Sequence, residues 1–385
     1  MTVAELLQDD IFNLPVSWVG FSFTDSLGEQ KICRSYHQFV IRRLSAYMDL
    51  LDRLDDIEVM GSTGSPIRLP PVSNAEEVRR AVKVLCRGIL ATLKAYAEGS
   101  PSRAYAQLSQ ALEPHGGAGL LQAPAVYFET QLDHPQQVYY RLRISEDEPV
   151  TQPREMFHLP FQLRWKTKGY RFSIAGYPSM YAGTSPLLAL HEMRLSAWND
   201  HLYAVKLRTI PRQSMELPIR DVRLFNLRNQ IEEFRRRYAR PGPYDGQIMK
   251  FLVRWPLIMA TSVPVGHPES DKPQFHEEYV LPQLLLEWVN NVRGRDQKIT
   301  GIAFSSSRVE AKALTDAGHF NIVVPAESPV ATGLCAVRIR QFEITAPVAV
   351  SSIRAELGKD ATVDEIAQRL DERLSAQDYH RLHID

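Results

Sequence analysis

The chain has 385 residues, 44% of them apolar, with 45 Lys and Arg balancing 45 Asp and Glu. That length suits two to three compact units, the composition excludes a wholly disordered chain, and no apolar run approaches the ~18 residues of a membrane helix. Zero net charge gives no field for gathering nucleic acid or an anionic membrane, and three scattered cysteines (Cys33, Cys86, Cys335) make neither a disulfide framework nor a zinc set. Residues 1–30 hold five acids and no Lys or Arg. A secretory leader is therefore not expected, and the chain reads as cytoplasmic.

Taken in order, the N-terminal region reads as helical. The spacing predicts a helix over about 30–54, with Tyr36, Val40, Leu44, Tyr47 and Leu51 on its inner face. Residues 61–71 cluster Gly, Ser and Pro and read as a loop. Asn74 with Glu77 forms a capping box for a second helix, whose stripe is Val78, Val82, Leu85, Ile89, Leu93 and Tyr96 and whose stop is Gly99. A third helix starts after Ser100-Pro101 and ends before His115. A boundary is expected across 113–125, giving a helical domain over 1–120 and a second domain over 126–385.

Beyond the boundary, short strands alternate with helices, and the fold class expected is α+β. Residues 137–144 alternate, with Val138, Tyr140, Leu142 and Ile144 opposed to Tyr139, Arg141 and Arg143. Residues 169–174 alternate in the same way, and 178–182 reads as a strand. Ser185 as N-cap with Pro186 behind it predicts a helix start, and that helix carries His191 and Glu192. Further strands are expected at 202–208, 300–305, 320–324 and 336–344, and further helices at 223–238, 246–255 and 278–292. Thr362 and Glu365 make a last capping box.

Arg141 and Arg143 would project together from one strand face. Two adjacent guanidiniums need an anionic partner: phosphate is one, since the planar fork grips two oxygens, and the acids at 146–148 of a solvent face are the other. Glu192 lies near its helix's buried stripe, where a carboxylate needs a partner or a substrate hydroxyl; the edge of the stripe is the alternative. Tyr181 stands where the strand gives way to the helix, a common ligand site, or else it is core. Ser305-Ser306-Ser307 ends a strand, either as a plain turn or as hydroxyls beside a cleft. No Walker loop, G-x-G-x-x-G, H-E-x-x-H or G-x-S-x-G motif occurs.

The ordered segments Val138–Arg143, Arg154–Phe161, Tyr170–Pro178, Met180–Ser185, His191-Glu192, Glu278–Gln283, Gly301–Ser306 and Asn321–Pro325 together resemble the RES domain, a bacterial family named for Arg, Glu and Ser. The region before them is similar to the HEPN-like helical region often fused to such domains. It lacks the Arg-x(4–6)-His pattern of HEPN nucleases, so it reads as a structural or regulatory part. The resemblance implies an ADP-ribosyltransferase-like mixed α/β fold and an enzyme that consumes NAD as substrate, without a metal. Such an enzyme is a glycohydrolase, a phosphorylase or an ADP-ribosyltransferase, acting as the toxin of a toxin–antitoxin or defence system.

Carried over by position, Glu192, Ser306 and Arg171 would be catalytic, and Arg141, Arg171, Tyr181 and Asn321 would bind NAD. Ser305 is the near alternative to Ser306. NAD, a protein antitoxin and a second copy of the chain are the partners considered, with neither nucleic acid nor membrane. The rival reading is a non-catalytic NAD- or ADP-ribose-binding or protein-interaction module. A nucleic-acid enzyme built on Arg235-Arg236-Arg237 is a third, opposed by the net charge.

Overall fold

A computed structural model describes residues 1–15, 17–24, 28–55, 75–113, 123–131, 137–145, 148–193, 201–210, 222–239, 244–266, 275–291, 299–308, 311–327 and 329–383. In chain order its helices are α1 (Val3–Leu7), α2 (Tyr36–Leu51), α3 (Ala75–Ala97), α4 (Pro101–Leu112), α5 (Pro186–Glu192), α6 (Ile231–Arg237), α7 (Gly246–Ser262), α8 (Glu277–Asn291), α9 (Lys312–Asp316), α10 (Ala336–Ile339), α11 (Val350–Leu357) and α12 (Val363–Ser375). Its strands are β1 (Ser22–Thr24), β2 (Gln30–Ile32), β3 (Glu129–Gln131), β4 (Val138–Ile144), β5 (Ser179–Gly183), β6 (Leu202–Thr209), β7 (Arg223–Leu227), β8 (Gly301–Phe304), β9 (Asn321–Pro325), β10 (Phe342–Ile344), β11 (Val348–Ala349) and β12 (His380–Arg381). The fold is mixed α+β. The chain divides into two compact units: Met1–Glu129 with Leu227–Trp288, and Thr130–Asn226 with Val289–Asp385. Residues 227–288 thus group with the N-terminal helices, whereas the sequence pattern assigned them to the domain that begins at residue 126.

The helical unit is held by aromatic packing and by close helix contact. Phe12 meets Trp255 at 5.0 Å between ring centres and Tyr47 edge-on at 5.8 Å. Gly88, in mid-α3, sits against α4: a Cβ there would lie 2.0 Å from the Ala111 Cβ. The absent side chain is what lets these two helices approach. Gly99 ends α3 at φ +76°, and the Ser100 N–H returns to the Ala95 carbonyl at 3.0 Å. The stop expected there is present; Asn74, its proposed N-cap, and the 61–71 loop lie outside the described residues.

α7 runs seven residues past the expected end at Trp255. Proline usually stops a helix because it removes the bond to the carbonyl four residues back. Here Pro256 frees the Leu252 carbonyl, and the buried Tyr47 hydroxyl donates to it at 2.7 Å. Tyr36 donates to the Ala260 carbonyl in the last turn of the same helix. Two tyrosines of α2 therefore occupy backbone acceptors that α7 leaves open.

The sheet unit carries a sheet of order β12-β10-β6-β4-β5-β9-β8-β7-β3, with β11 also on β6. The β4–β6, β5–β9, β8–β9 and β10–β6 pairs are antiparallel. β4 is covered on both faces. Tyr139 packs with Met180, Ala182, Val205, Ile322 and Val324, while Tyr140 and Leu142 pack with Ala189, Leu190, Ile366 and Leu370. The expectation of one buried and one open β4 face is corrected: a central strand needs apolar residues on both sides.

Four other expectations change. Residues 30–32 form a strand and α2 begins only after the Ser35 N-cap. Residues 170–173 form a turn, closed by Ser173 Oγ on the Tyr170 N–H and carbonyl, with an isolated bridge at Ile174–Tyr177. Arg223–Leu227 is a strand ahead of the short α6, and Asn229 Oδ1 accepts the Ile231 N–H at the start of that helix. Residues 336–339 form a helical turn before β10. The caps at Ser185 and Thr362 are as expected, each side chain accepting the N–H three residues on. All three cysteines are free and buried. Among the described residues no helix is long and apolar enough to cross a membrane, and no group of three His, Cys, Asp or Glu is placed to hold a metal.

Candidate functional site

The β5–α5 junction places Glu192. Thr184 ties the junction to β9: its N–H donates to the Phe320 carbonyl and its hydroxyl accepts the Phe320 N–H, both at 3.0 Å. Ser185 then caps α5, whose last residue is Glu192. The free carbonyls of a helix end disfavour a carboxylate, so Glu192 needs donors of its own. It has two. Asn321 Nδ2 donates to one carboxylate oxygen at 2.8 Å, and Arg308 Nε donates to the other at 3.1 Å.

These partners come from far along the chain. Asn321 opens β9 and is buried, opposite Phe304 and Gly183 in the ladder. A Cβ on Gly183 would come within 3.2 Å of Asn321 Oδ1, so the glycine leaves the amide its room. Arg308 follows the serine triplet. Ser306 Oγ accepts the Arg308 N–H at 3.1 Å and turns the chain there. Ser306 is half-buried and Ser305 is buried, at 5% exposure. Glu192 and Arg308 keep 31% and 30% of their side-chain surface open, which separates this pair from a sealed structural bridge.

Arg141 lies one register step away. The β4–β5 pair meets at a single position, Tyr140 opposite Gly183. By strand alternation Arg141 starts on the face of Tyr139, opposite to the face of Tyr181 and Asn321. Its guanidinium turns into the gap beside the single bridge: Nε donates to the Met156 carbonyl at 2.7 Å and Nη1 to the Tyr181 carbonyl at 2.8 Å. A guanidinium has five N–H donors, so these two bonds leave others for a ligand. Burial, and next the Arg143 charge, lower its pKa to about 10, while Tyr170 and Tyr181 act the other way. Arg143 donates to the Glu155 carbonyl, next in the chain to the Met156 carbonyl that Arg141 uses; Glu146 and Asp147 lie outside the described residues.

Tyr181 is half-buried. Its hydroxyl donates to the Phe172 carbonyl, and its ring meets Tyr170 edge-on at 5.4 Å. Phe172 in turn packs on Phe304 at 4.6 Å, joining the 170–173 turn to the end of β8. Arg171 sits in that turn and not on a strand face. Two further aromatics of this unit are engaged elsewhere. Phe157 is fully buried in the core, and the Tyr140 hydroxyl donates to Asp371 at 2.5 Å.

The geometry thus joins Glu192, Asn321, Arg308 and Ser306 directly. Arg141 in mid-β4, Tyr181 in mid-β5 and the turn holding Arg171 form a second group, and the β5–β9 ladder sets Tyr181 two positions from the Gly183–Asn321 pair. Arg308 is the residue that sequence reading missed. Its signal was only position, two residues after Ser306 at a strand end, and its partner lies 116 residues away.

No family model matches the chain, and no solved structure matches it. The chain is 26% identical over 272 residues to a Bacillus subtilis (strain 168) protein named "Putative toxin YopC". The match covers 70% of this chain and 58% of that protein, so the chain spans little more than half of its relative's length.

Proposed function

We propose that the chain is an NAD-consuming enzyme that breaks the bond between nicotinamide and ribose, and that it acts as a toxin. The observation carrying the reading is a half-open carboxylate, Glu192, held by Asn321 and Arg308, with Asn321 on the strand that pairs with Tyr181 and with Arg141 bonded to the Tyr181 carbonyl. The similarity to RES domains of the ordered Arg, Tyr, Glu and Ser segments supports it, as does the name of the Bacillus relative.

In this reading the C1′–N bond breaks and its electron pair leaves with neutral nicotinamide. Positive charge grows on the ribose, and a fixed carboxylate near C1′ stabilises that charge more than it stabilises intact NAD. Glycosidases meet the same demand with carboxylates. Asn321 keeps Glu192 oriented. Arg141 and Arg171 grip the pyrophosphate, Tyr181 lies against the nicotinamide or ribose, and Ser306 positions the ribose or the acceptor. The acceptor is water, phosphate or a protein side chain. A toxin of this kind would be held by a protein antitoxin.

The Glu192–Arg308 pair also supports a second reading. A carboxylate already neutralised by a guanidinium is a weaker stabiliser of a sugar cation, and a non-catalytic NAD- or ADP-ribose-binding module would tolerate that. Incubating the purified chain with NAD, with and without phosphate and a protein acceptor, separates the two. Free nicotinamide is expected; intact NAD recovered from a measurable complex would overturn the enzymatic reading and favour the binding module.

A further inference from the structure

Three arginines of the sheet unit hold a carboxylate with further support. Arg208 donates to Glu343 at 2.6 Å, and its guanidinium stands 4.1 Å from the centre of the Tyr379 ring. Arg338 lies 3.5 Å from Glu327 and donates to the Pro325 carbonyl and to Gln341 Oε1, each at 2.9 Å. Arg369 spans two acids, Glu356 and Glu372. Arg308 is held differently. It meets Glu192 through Nε at 3.1 Å, and among the described residues its guanidinium has no other partner. Of the five N–H donors of a guanidinium, those on the two Nη atoms are left over.

Both partners are anchored by other bonds. Ser306 Oγ accepts the Arg308 backbone N–H at 3.1 Å, so the chain there stays fixed while the side chain pivots. The buried Asn321 amide donates to the second Glu192 oxygen at 2.8 Å, so the carboxylate keeps its place without Arg308. The ion pair itself is the weak link. About a third of each side chain is open to water, which screens the attraction. While it lasts, Arg308 neutralises the charge that would stabilise a ribose cation.

We propose that Arg308 is a phosphate-sensing mask on Glu192: the pyrophosphate of NAD draws the guanidinium off the carboxylate, so that a phosphate-bearing nicotinamide nucleoside meets an unmasked Glu192. This rests on the NAD-consuming reading and adds the substrate's own phosphate as its trigger. A pyrophosphate offers two negative charges and paired oxygens where Glu192 offers one charge and one contact, so the planar fork gains by the exchange. The phosphate next to the nicotinamide ribose is one sugar ring from C1′, a distance that an arginine pivoting on a fixed Cα covers. Nicotinamide riboside has the same scissile bond and no phosphate, so it leaves the mask in place. Arg308 is thereby the residue that sets specificity for nucleotide over nucleoside.

The test follows nicotinamide release from NAD and from nicotinamide riboside by the purified full chain, as wild type, Arg308→Gln and Arg308→Lys. Wild type should favour NAD in kcat/KM by about a hundredfold or more. Arg308→Gln should lower kcat/KM for NAD by about tenfold, through the lost grip on phosphate, and raise that for the riboside by about threefold or more. A rise is an effect that damage to the fold does not produce. Arg308→Lys restores a cation beside Glu192 and should return riboside turnover to within about twofold of wild type. No nicotinamide from NAD with wild type would overturn the enzymatic reading and the mask together. NAD turnover by wild type, with riboside turnover that fails to rise in Arg308→Gln or rises equally in Arg308→Lys, would overturn the mask alone.

Discussion

In the helical unit, Tyr47 and Tyr36 place hydroxyls on the Leu252 and Ala260 carbonyls, and each of these acceptors is met inside the protein. In the sheet unit, Glu192 and Arg308 also meet each other, yet each keeps about a third of its side chain open. The first arrangement removes a cost of folding; the second maintains charge where a ligand can reach it. The contrast teaches that partnering alone does not distinguish architecture from a site. What distinguishes them is whether the polar group, once partnered, still faces solvent.

The strongest way to break the comparison is Glu192→Gln. The amide keeps the size of the side chain, so melting should barely change, whereas nicotinamide release should fall by about 10²–10³-fold, the usual loss when one charge-stabilising group is removed. Equal turnover in the variant would take Glu192 out of the mechanism.

Acid sharpens it next. His158 is buried in the sheet unit, accepts the Cys335 N–H at Nε2 (2.9 Å) and lies 2.7 Å through Nδ1 from the Leu159 carbonyl. Burial above all, with lesser contributions from Arg141 and Arg338, lowers its pKa from 6.5 to about 4. The unfolded chain therefore binds this proton more readily than the folded one. Stability from the neutral ring is full above pH 6.5 and is lost as pH falls toward 4, by about 3 kcal/mol at about 1.4 kcal/mol per unit. Denaturant melts at pH 7 and pH 4 should show a loss that shrinks in His158→Gln; an equal loss in both proteins would contradict the assignment.

Gly88→Ala probes the helical unit. Intrinsic propensity favours alanine by about 1 kcal/mol, but its Cβ would collide with Ala111. A net loss of about 1–3 kcal/mol is expected from overpacking, and a stabilised variant would show that α3 and α4 do not need this approach. Smallest is Tyr47→Phe, which leaves the Leu252 carbonyl without its donor and should cost about 1–2 kcal/mol in chemical melts. No change would mean that Pro256 is tolerated without that hydroxyl.

Local chemistry made part of this legible in the sequence. Ser185, Gly99 and Thr362 act within a few residues of themselves, and each stands where its residue type required. The failures arose where an apolar spacing fits more than one kind of element. Leu224, Phe225 and Leu227 stand before Ile231 and Phe234 at spacings that also fit one helical stripe, although Arg228-Asn229-Gln230 separates the strand from the helix. Tyr170–Ile174 alternates like a strand, but Ser173 closes it as a turn. At the candidate site the residue types were legible and the pairings were not. Arg308 and Asn321 reach Glu192 across more than a hundred residues, which spacing cannot reveal. The strand order that seats Arg141 in the gap beside β5 is equally non-local.

The sharpest single experiment on Glu192 is proton NMR of NAD mixed with the purified chain, followed over time. Free nicotinamide signals are expected to grow with wild-type protein and to stay at the no-enzyme level with Glu192→Gln. NAD signals that broaden on binding but never give way to nicotinamide, with wild type and variant alike, would contradict the enzymatic reading.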